Sequence, residues 1–78
     1  MPRFYFHLYD DMTVIDEEGL DLPGVDAARE RGIANAREMA CSQVLEGYLN
    51  LKHRIDVADE SGHVVFTLPF RDTIEVQD

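Results

Sequence analysis

The sequence predicts an α+β domain of order ββαββ, a two-layer sandwich with one long helix on a mainly antiparallel four-stranded sheet. Three observations lead to this prediction. Residues 3–9 alternate apolar and polar side chains, as a half-buried strand does. Residues 25–50 lack proline and are rich in alanine, arginine, glutamate and leucine, which favours a helix. Residues 54–59 and 63–70 alternate again on either side of a glycine-containing turn, which indicates a hairpin.

The remaining elements follow from turn residues, and together they make residues 1–78 a single domain. A second short strand is expected at residues 12–15, after the Asp10–Asp11 pair that interrupts the first. A connector containing proline and glycine leads from it to the helix, whose predicted last residue is Asn50, a type that tolerates a left-handed cap. Residues 71–78 are predicted to be a short extra strand or a frayed tail.

The alternation also assigns faces and limits the strand order. We expect Phe4, Phe6, Ile55, Val57, Phe66 and Leu68 beneath the helix. On the helix, a period of 3.6 residues groups Ile33, Ala36, Ala40, Val44 and Gly47 on the side that faces the sheet. The first strand is the most apolar, so it belongs in the centre. Strand orders 2-1-3-4 and 2-1-4-3 both place it there, and periodicity does not separate them.

Composition excludes several classes of function. The chain has 16 acidic residues against 7 Lys and Arg, a formal charge of −9, and this charge repels a nucleic-acid backbone. No stretch approaches the length of a membrane span, and no apolar run of signal-peptide length follows the N-terminus. The single cysteine, Cys41, is ordinary for a reducing cytosol. We therefore expect a cytoplasmic protein that binds neither nucleic acid nor membrane.

No residue pattern indicates catalysis or a cofactor. His7, His53 and His63 have none of the ligand spacings of a zinc site. The acids of residues 10–21 do not follow the spacing of a calcium loop. Cys41 and the serines lack the context of a nucleophile, and the glycines do not form a phosphate-binding loop. The sequence predicts no metal, no cofactor and no enzyme activity.

The side of the sheet away from the helix is the strongest candidate for an interaction surface. The first strand places Tyr5, His7 and Tyr9 on it, and tyrosine and arginine are enriched where proteins meet. The candidate surface consists of Arg3, Tyr5, His7, Tyr9, Arg54, Val65 and Thr67. A second candidate patch, on the flank of the helix, consists of Cys41, Leu45 and Tyr48. A domain this small gains stability by burying such surfaces, so a homodimer is expected.

Four segments resemble a family of short proteins that are common in rhizobia and related alphaproteobacteria, a domain of unknown function. They are MPRFYFH, DEEGLDLP, AARERGIANAREMA and RIDVADESGHVVFTLPFRD. The resemblance implies a bacterial, cytoplasmic, stand-alone domain and transfers no activity or site residue. The chain also resembles HicB-like antitoxin domains in its hairpin, its LPG segment and its alanine-rich helix. Those domains place a threonine-led capping motif after LPG, where this chain has Val25, Asp26 and Ala27.

Three functions remain open. The first is a small regulatory or interaction module that acts through protein contacts, with itself or with a foreign protein. The second is a small-molecule binder or minor enzyme that uses His7, although a two-layer domain with one helix rarely encloses the ~300 Å³ typical of ligand sites. The third is an antitoxin-like protein that masks a basic partner. We favour the first.

Overall fold

Antiparallel pairing joins all the strands of the sheet, and one long helix packs on one side of it. The computed structural model describes residues 1–78. Its elements are β1 (Arg3–Tyr9), β2 (Thr13–Val14), β3 (Leu20–Asp21), α1 (Val25–Leu45), β4 (Arg54–Ala58), β5 (Val64–Pro69) and a 3₁₀ turn (Phe70–Asp72). The predicted class, α+β with one helix on an antiparallel sheet, is confirmed. β3 lies in the segment for which the sequence predicted only a connector.

The strand order is β2-β1-β4-β5, and β3 also pairs with β1. In terms of the four predicted strands this is 2-1-3-4, so β1 is central and no parallel pair occurs. Phe6 lies opposite Val57 and Leu8 opposite Ile55. β1 with β2 and β4 with β5 are neighbours in the chain, whereas the helix carries the chain across β1, from β3 on one side of it to β4 on the other.

Both edges of the sheet are poor templates for another strand. On one side β2 and β3 are two residues each, and β1 is exposed only between them. The other edge of the sheet is β5. The Phe70 N–H points toward β4 and donates to the His53 carbonyl oxygen, 2.8 Å away. Because backbone groups alternate in direction along a strand, those of Pro69 and Thr67 point away from β4, toward the free edge. Proline has no N–H, and this edge therefore offers few donors to a partner strand.

Four of the five buried residues of the helix are alanine or glycine. Its buried residues are Ala28, Gly32, Ala36, Ala40 and Gln43. A Cβ added at Gly32 would lie 2.6 Å from Leu68 Cδ1 and 3.0 Å from Val57 Cγ2, so the helix axis sits very close to the sheet. The stripe is rotated from the predicted one: Ala36 and Ala40 are shared, whereas Val44 and Gly47 are exposed.

The helix ends earlier than predicted, at Leu45 rather than Asn50. Gly47 has a φ of 96°. Its N–H donates to the Val44 carbonyl oxygen, and the Tyr48 N–H donates to that of Gln43. This pair of bonds is a Schellman motif, which requires a left-handed residue at the position of Gly47. Glycine adopts that conformation without a Cβ clash, so it stops the helix before Asn50 is reached.

The chain after β5 belongs to the core. Phe70, which follows Pro69 directly, is fully buried, and Thr73 is also buried. The Arg37 Nε donates to the Thr73 carbonyl oxygen at 2.7 Å and ties this segment to the helix. The predicted strand through residue 70 is therefore corrected: β5 ends at Pro69, and the 3₁₀ turn packs the Phe70 ring against the His53 imidazole in a T-shaped contact.

Candidate functional site

The side of the sheet away from the helix gathers most of the residues predicted as an interaction surface. Alternation along β1 sends Tyr5, His7 and Tyr9 to this side, and the ladder with β4 places Arg54 and Asp56 beside them. The helix packs on the opposite side, against Val57 and Leu68. We call this set of residues the outer sheet face; it consists of Arg3, Tyr5, His7, Tyr9, Arg54, Asp56, Ala58 and Thr67.

Arg54 is engaged within the outer sheet face on two sides. Its guanidinium carbon lies 4.4 Å from the centroid of the Tyr9 ring, a cation–π contact. Its Nε lies 3.4 Å from Asp56 Oδ1. Asp56 is a buried carboxylate, and a buried charge is costly unless it has a partner. Arg54 therefore stabilises the sheet at this point.

His7 and Asp16 form a second set of internal contacts. The Asp16 backbone N–H donates to His7 Nδ1 at 3.1 Å. The Asp16 carboxylate accepts hydrogen bonds from the backbone N–H groups of Phe6, Glu18 and Gly19, each at 3.1 Å. The carboxylate thus takes the place of a strand in the gap between β2 and β3. His7, whose Nδ1 already has a donor, is a support for this loop.

These contacts shift the ionisation of Asp16. Partial burial opposes the charged form of the carboxylate, but the three backbone N–H donors and the neighbouring His7 outweigh burial and lower the pKa of Asp16. The charged form is therefore the one that the fold requires.

Arg3 is also committed. Its Nε donates to Asp21 Oδ1 at 3.0 Å, and its Nη1 donates to the Glu18 carbonyl oxygen at 2.7 Å. The hydrogen bond to Asp21, and after it the charge of that carboxylate, raises the pKa of Arg3. Arg3 connects β1 with the loop before β3, so its charge is not available in the way that a free surface arginine would be.

Val65 is not part of the outer sheet face, which corrects the sequence-based assignment. Ala58 pairs with Val64 while Val57 pairs with Phe66, so Val65 is an extra residue in a β-bulge. Its side chain packs against the buried core. Strict alternation along β5 would have turned it outward, and the bulge reverses this.

The bulge also contributes to a groove of about 420 Å³ between the start of β1, the start of the helix and the β4–β5 turn. Its lining includes Phe4, Val65, Asp59 and Ser61. Asp59 accepts hydrogen bonds from the Ser61 hydroxyl and from backbone N–H groups of the turn. The Ser61 hydrogen bond is the main reason that the pKa of Asp59 is lowered. The volume of the groove exceeds the ~300 Å³ that a two-layer domain with one helix was expected not to enclose. The Asp59 carboxylate, however, already accepts hydrogen bonds within its own turn.

The second predicted patch lies at the C-terminal end of the helix and is fully open. The exposed fractions are 83% for Leu45, 58% for Val44, 46% for Tyr48 and 37% for Leu49. Cys41, one turn before Leu45, is a free and exposed thiol. We call Cys41, Val44, Leu45, Tyr48 and Leu49 the helix-end patch. The prediction contained three of these five residues. It lacked Leu49, and it lacked Val44 because that residue was assigned to the buried stripe.

A buried polar network supports the helix-end patch from below. Gln43 Nε2 lies 2.7 Å from His53 Nδ1, and Gln43 Oε1 accepts the Asn50 backbone N–H at 2.9 Å. On its other side, His53 Nε2 lies 3.6 Å from Asp11 Oδ1. These contacts hold the β1–β2 loop and the turn after the helix close to one another.

The hydroxyl of Tyr48 ionises less readily than a free phenol. Partial desolvation of the hydroxyl, and then the charges of Glu46, Asp11 and Asp10, raise the pKa of Tyr48. The last turn of the helix contains no basic residue. This part of the surface therefore combines exposed apolar side chains with negative charge.

Sequence reasoning missed Asp16, Gln43 and His53 as supporting residues. For Asp16 a signal was present, because Asp16–Gly19 and Asp59–Gly62 share the pattern Asp-Glu-x-Gly and form equivalent turns with a left-handed glycine. Gln43 and His53 meet only through the tertiary fold, and their spacing along the chain carries no signal.

No three His, Cys, Asp or Glu side chains come close enough to one another to hold a metal ion. No helix combines the length and the apolarity that crossing a bilayer requires. Among protein families, one described as a domain of unknown function, DUF6894, matches residues 3–71. No curated protein and no solved structure matches the chain.

Proposed function

Because the chain belongs to the DUF6894 family of domains of unknown function, its role has to be argued from its surfaces, and we propose that it is a protein-interaction module. The docking site in this proposal is the helix-end patch, and the occupant is a protein segment that presents apolar side chains. The outer sheet face serves to stabilise the domain that carries this site.

The observation that carries the proposal is the exposure of Leu45, 83%, beside Val44 at 58%. A scattered apolar residue on a surface needs no explanation, but adjoining ones mark interaction sites. Val44 and Leu45 are the last residues of the helix and lie outside its buried stripe, so they contribute little to the fold. Covering them would gain roughly 25 cal/mol for each Å² of apolar surface removed from water.

The outer sheet face supports the proposal by contrast. Its charged and aromatic groups already contact one another: Arg54 lies on Tyr9, and Arg3 is paired with Asp21. A partner that used these groups would have to compete with contacts inside the domain.

We propose a binding role without catalysis, because the candidate catalytic groups also have partners inside the domain. His7, the candidate base, accepts a backbone N–H at Nδ1, and Asp16 accepts three hydrogen bonds. A general base needs a free acceptor facing the substrate. We further propose that the module acts in a reducing compartment such as the bacterial cytoplasm, where the exposed Cys41 thiol would persist.

Site-specific photo-crosslinking in the native cell tests the docking site. A photoreactive phenylalanine analogue is placed at position 45, 48 or, for comparison, at the exposed Thr67 of the outer sheet face. Positions 45 and 48 are expected to form one discrete adduct, and position 67 none. An adduct with the mass of two chains would identify the partner as a second copy, the homodimer that the sequence predicts.

The captured protein is then purified and titrated against matched variants. Leu45→Ser is expected to weaken binding by about tenfold or more, as removal of a central apolar anchor does. Val64→Ser, at a residue that is 50% exposed on β5, is the control and should bind like the parent. Equal affinities of the parent and Leu45→Ser, or adducts from position 67 alone, would overturn the proposal.

A further inference from the structure

We infer that the occupant of the helix-end patch is a basic amphipathic segment of another protein rather than a second copy of this chain. This inference rests on the proposed function and adds the charge of the partner to it. Its basis is the sign of the groups that border the patch.

The first of these groups is the end of the helix itself. The carbonyl groups of the last turn carry the negative end of the helix dipole, and cationic side chains usually accompany them. Here the last turn has no basic residue, and the residue at the cap is Glu46. The local charges therefore do not stabilise the helix end, and they leave a negative potential beside Leu45.

The second group is the β1–β2 loop. Asp11 is held near the helix end by the approach of its Oδ1 to His53 Nε2, 3.6 Å away, and His53 in turn contacts Gln43 of the helix. The charges of Asp10 and Asp11 reach the hydroxyl of Tyr48, where they add to that of Glu46. Two separate segments thus bring acids to one border of the patch.

These acids lack strong internal partners. Neither Glu46 nor Asp10 forms an ion pair; Asp10 accepts only the Met12 backbone N–H, at 2.8 Å, and the one charged partner of Asp11 is the imidazole of His53. Lys52 and Arg54 are the next cations in the chain after the helix; Lys52 forms no ion pair, and Arg54 pairs with Asp56 rather than with these acids. A partner with lysine or arginine beside its apolar side chains would supply the missing counter-charges.

A second copy fits this border poorly. A two-fold axis through the patch would bring two helix C-terminal ends and two sets of Glu46, Asp10 and Asp11 together. Each chain also carries a formal charge of −9, so like charges would oppose the association. A basic segment places opposite charges at the same positions, and an amphipathic helix laid on an apolar surface is a common mode of recognition.

Three synthetic peptides provide the probe: a helical Leu/Lys peptide with one apolar face, a Leu/Glu peptide with the same apolar face, and a scrambled Leu/Lys peptide of equal charge. Affinities are measured by calorimetry with the full chain. The amphipathic Leu/Lys peptide is expected to bind at least about tenfold more tightly than the other two, since it alone matches both the apolar surface and the charge.

Matched variants locate the peptide. Leu45→Ser is expected to weaken binding of the Leu/Lys peptide by about tenfold, and Val64→Ser is expected to weaken it by no more than about twofold. Glu46→Gln and Glu75→Gln remove the same charge, and only Glu46→Gln is expected to weaken binding, by roughly threefold at low salt.

Three results would overturn the inference. The Leu/Glu peptide could bind as tightly as the Leu/Lys peptide through Leu45, which would leave apolar docking intact and remove the basic partner. Glu46→Gln and Glu75→Gln could weaken binding of the Leu/Lys peptide equally, which would mean that the peptide responds to the net charge of the domain and not to the acids beside the patch. Light scattering could also show a dimer of the parent that Leu45→Ser dissociates. The crosslinking experiment does not depend on peptide charge, so it fails only if the helix-end patch is not a docking site.

Discussion

The outer sheet face and the helix-end patch differ in what their side chains are doing. The outer sheet face has the residues that usually signal function, two tyrosines, a histidine and two arginines, yet Arg54 lies on Tyr9 and His7 accepts the Asp16 N–H. The helix-end patch has unremarkable apolar residues, and Leu45 is the most exposed of the large apolar residues. A suggestive composition does not make a surface available for binding. Availability depends on whether the polar and aromatic groups already have partners inside the domain.

The largest expected effect is at Gly19, which lies beneath the outer sheet face. Gly19 has a φ of 70°, and an added Cβ would lie 2.8 Å from both Arg3 Cγ and Tyr5 Cε2 and 2.9 Å from the Phe4 carbonyl oxygen. Gly19→Ala should therefore lower the free energy of unfolding by roughly 2–4 kcal/mol, from backbone strain and overpacking together. Urea denaturation measures this loss.

Gly62 is the matched control, because it has a φ of 88° and nothing within 4 Å of an added Cβ. Gly62→Ala should cost about 1 kcal/mol, from backbone strain alone. If the two substitutions cost the same, the packing of Arg3 and Tyr5 over Gly19 is not a support of the outer sheet face.

Asp16→Asn tests the second support and depends on pH. The amide has a single acceptor oxygen for three N–H donors, so a loss of roughly 1–3 kcal/mol is expected at pH 7. The pKa of Asp16 is lowered in the folded state from its ordinary value of 3.8. The contribution of the carboxylate is therefore fully present above that value and disappears as the pH falls through the folded-state pKa.

Urea denaturation at several pH values should show the parent and Asp16→Asn converging in acid. Glu17→Gln is the control, since Glu17 lies next to Asp16 but its side chain forms no hydrogen bond or ion pair, so this variant should follow the parent at every pH. A difference between parent and Asp16→Asn that stays constant down to pH 2 would mean that the charge of Asp16 is irrelevant to the loop.

These supports mark the limit of what the sequence predicts. Period-2 alternation in β1 and β4 and the turn at Gly62 led to the correct elements and class, because strand faces and tight turns are local properties. The choice between two strand orders was beyond periodicity. The β-bulge at Val65 carries no local signal, so Val65 was assigned to the wrong face.

The helix shows a different limit. The 3.6-residue period grouped Val44 with Ala36 and Ala40, but at Gly32 the sheet lies too close to admit any side chain: Leu68 Cδ1 would be 2.6 Å from a Cβ there. Side-chain size therefore decides which side of the helix is buried around Gly32. At the end of the helix Gln43 takes the buried position, where it bonds to His53 and Asn50, and Val44 is left exposed. The apolar residues that lie outside the buried stripe form the helix-end patch. The rotation of the stripe from its predicted position therefore also exposes the candidate site.

A smaller difference in the free energy of unfolding is expected between substitutions in the outer sheet face and in the helix-end patch. Tyr9→Lys removes the ring beneath Arg54 and places a second cation beside it, which should cost about 1 kcal/mol. Leu45→Lys should change the unfolding free energy by less than about 0.5 kcal/mol, because no buried contact is lost. Denaturant midpoints decide the order, and a Leu45→Lys variant less stable than Tyr9→Lys would reverse our assignment of the two surfaces.

The smallest effect concerns the electrostatics of the helix-end patch. Desolvation and the charges of Glu46, Asp11 and Asp10 raise the pKa of Tyr48 above its ordinary value of 10.0, because the acids disfavour the phenolate. Neutralising Asp10 and Asp11 together, as Asp10→Asn with Asp11→Asn, should bring this pKa down toward the ordinary value. NMR titration of ring-labelled tyrosine follows Tyr48 separately. Glu17→Gln with Glu18→Gln removes the same charge from the loop beside the outer sheet face and should leave Tyr48 unchanged. If both pairs lower the pKa equally, Tyr48 responds to the net charge of the domain, and the acids of the β1–β2 loop do not border the patch.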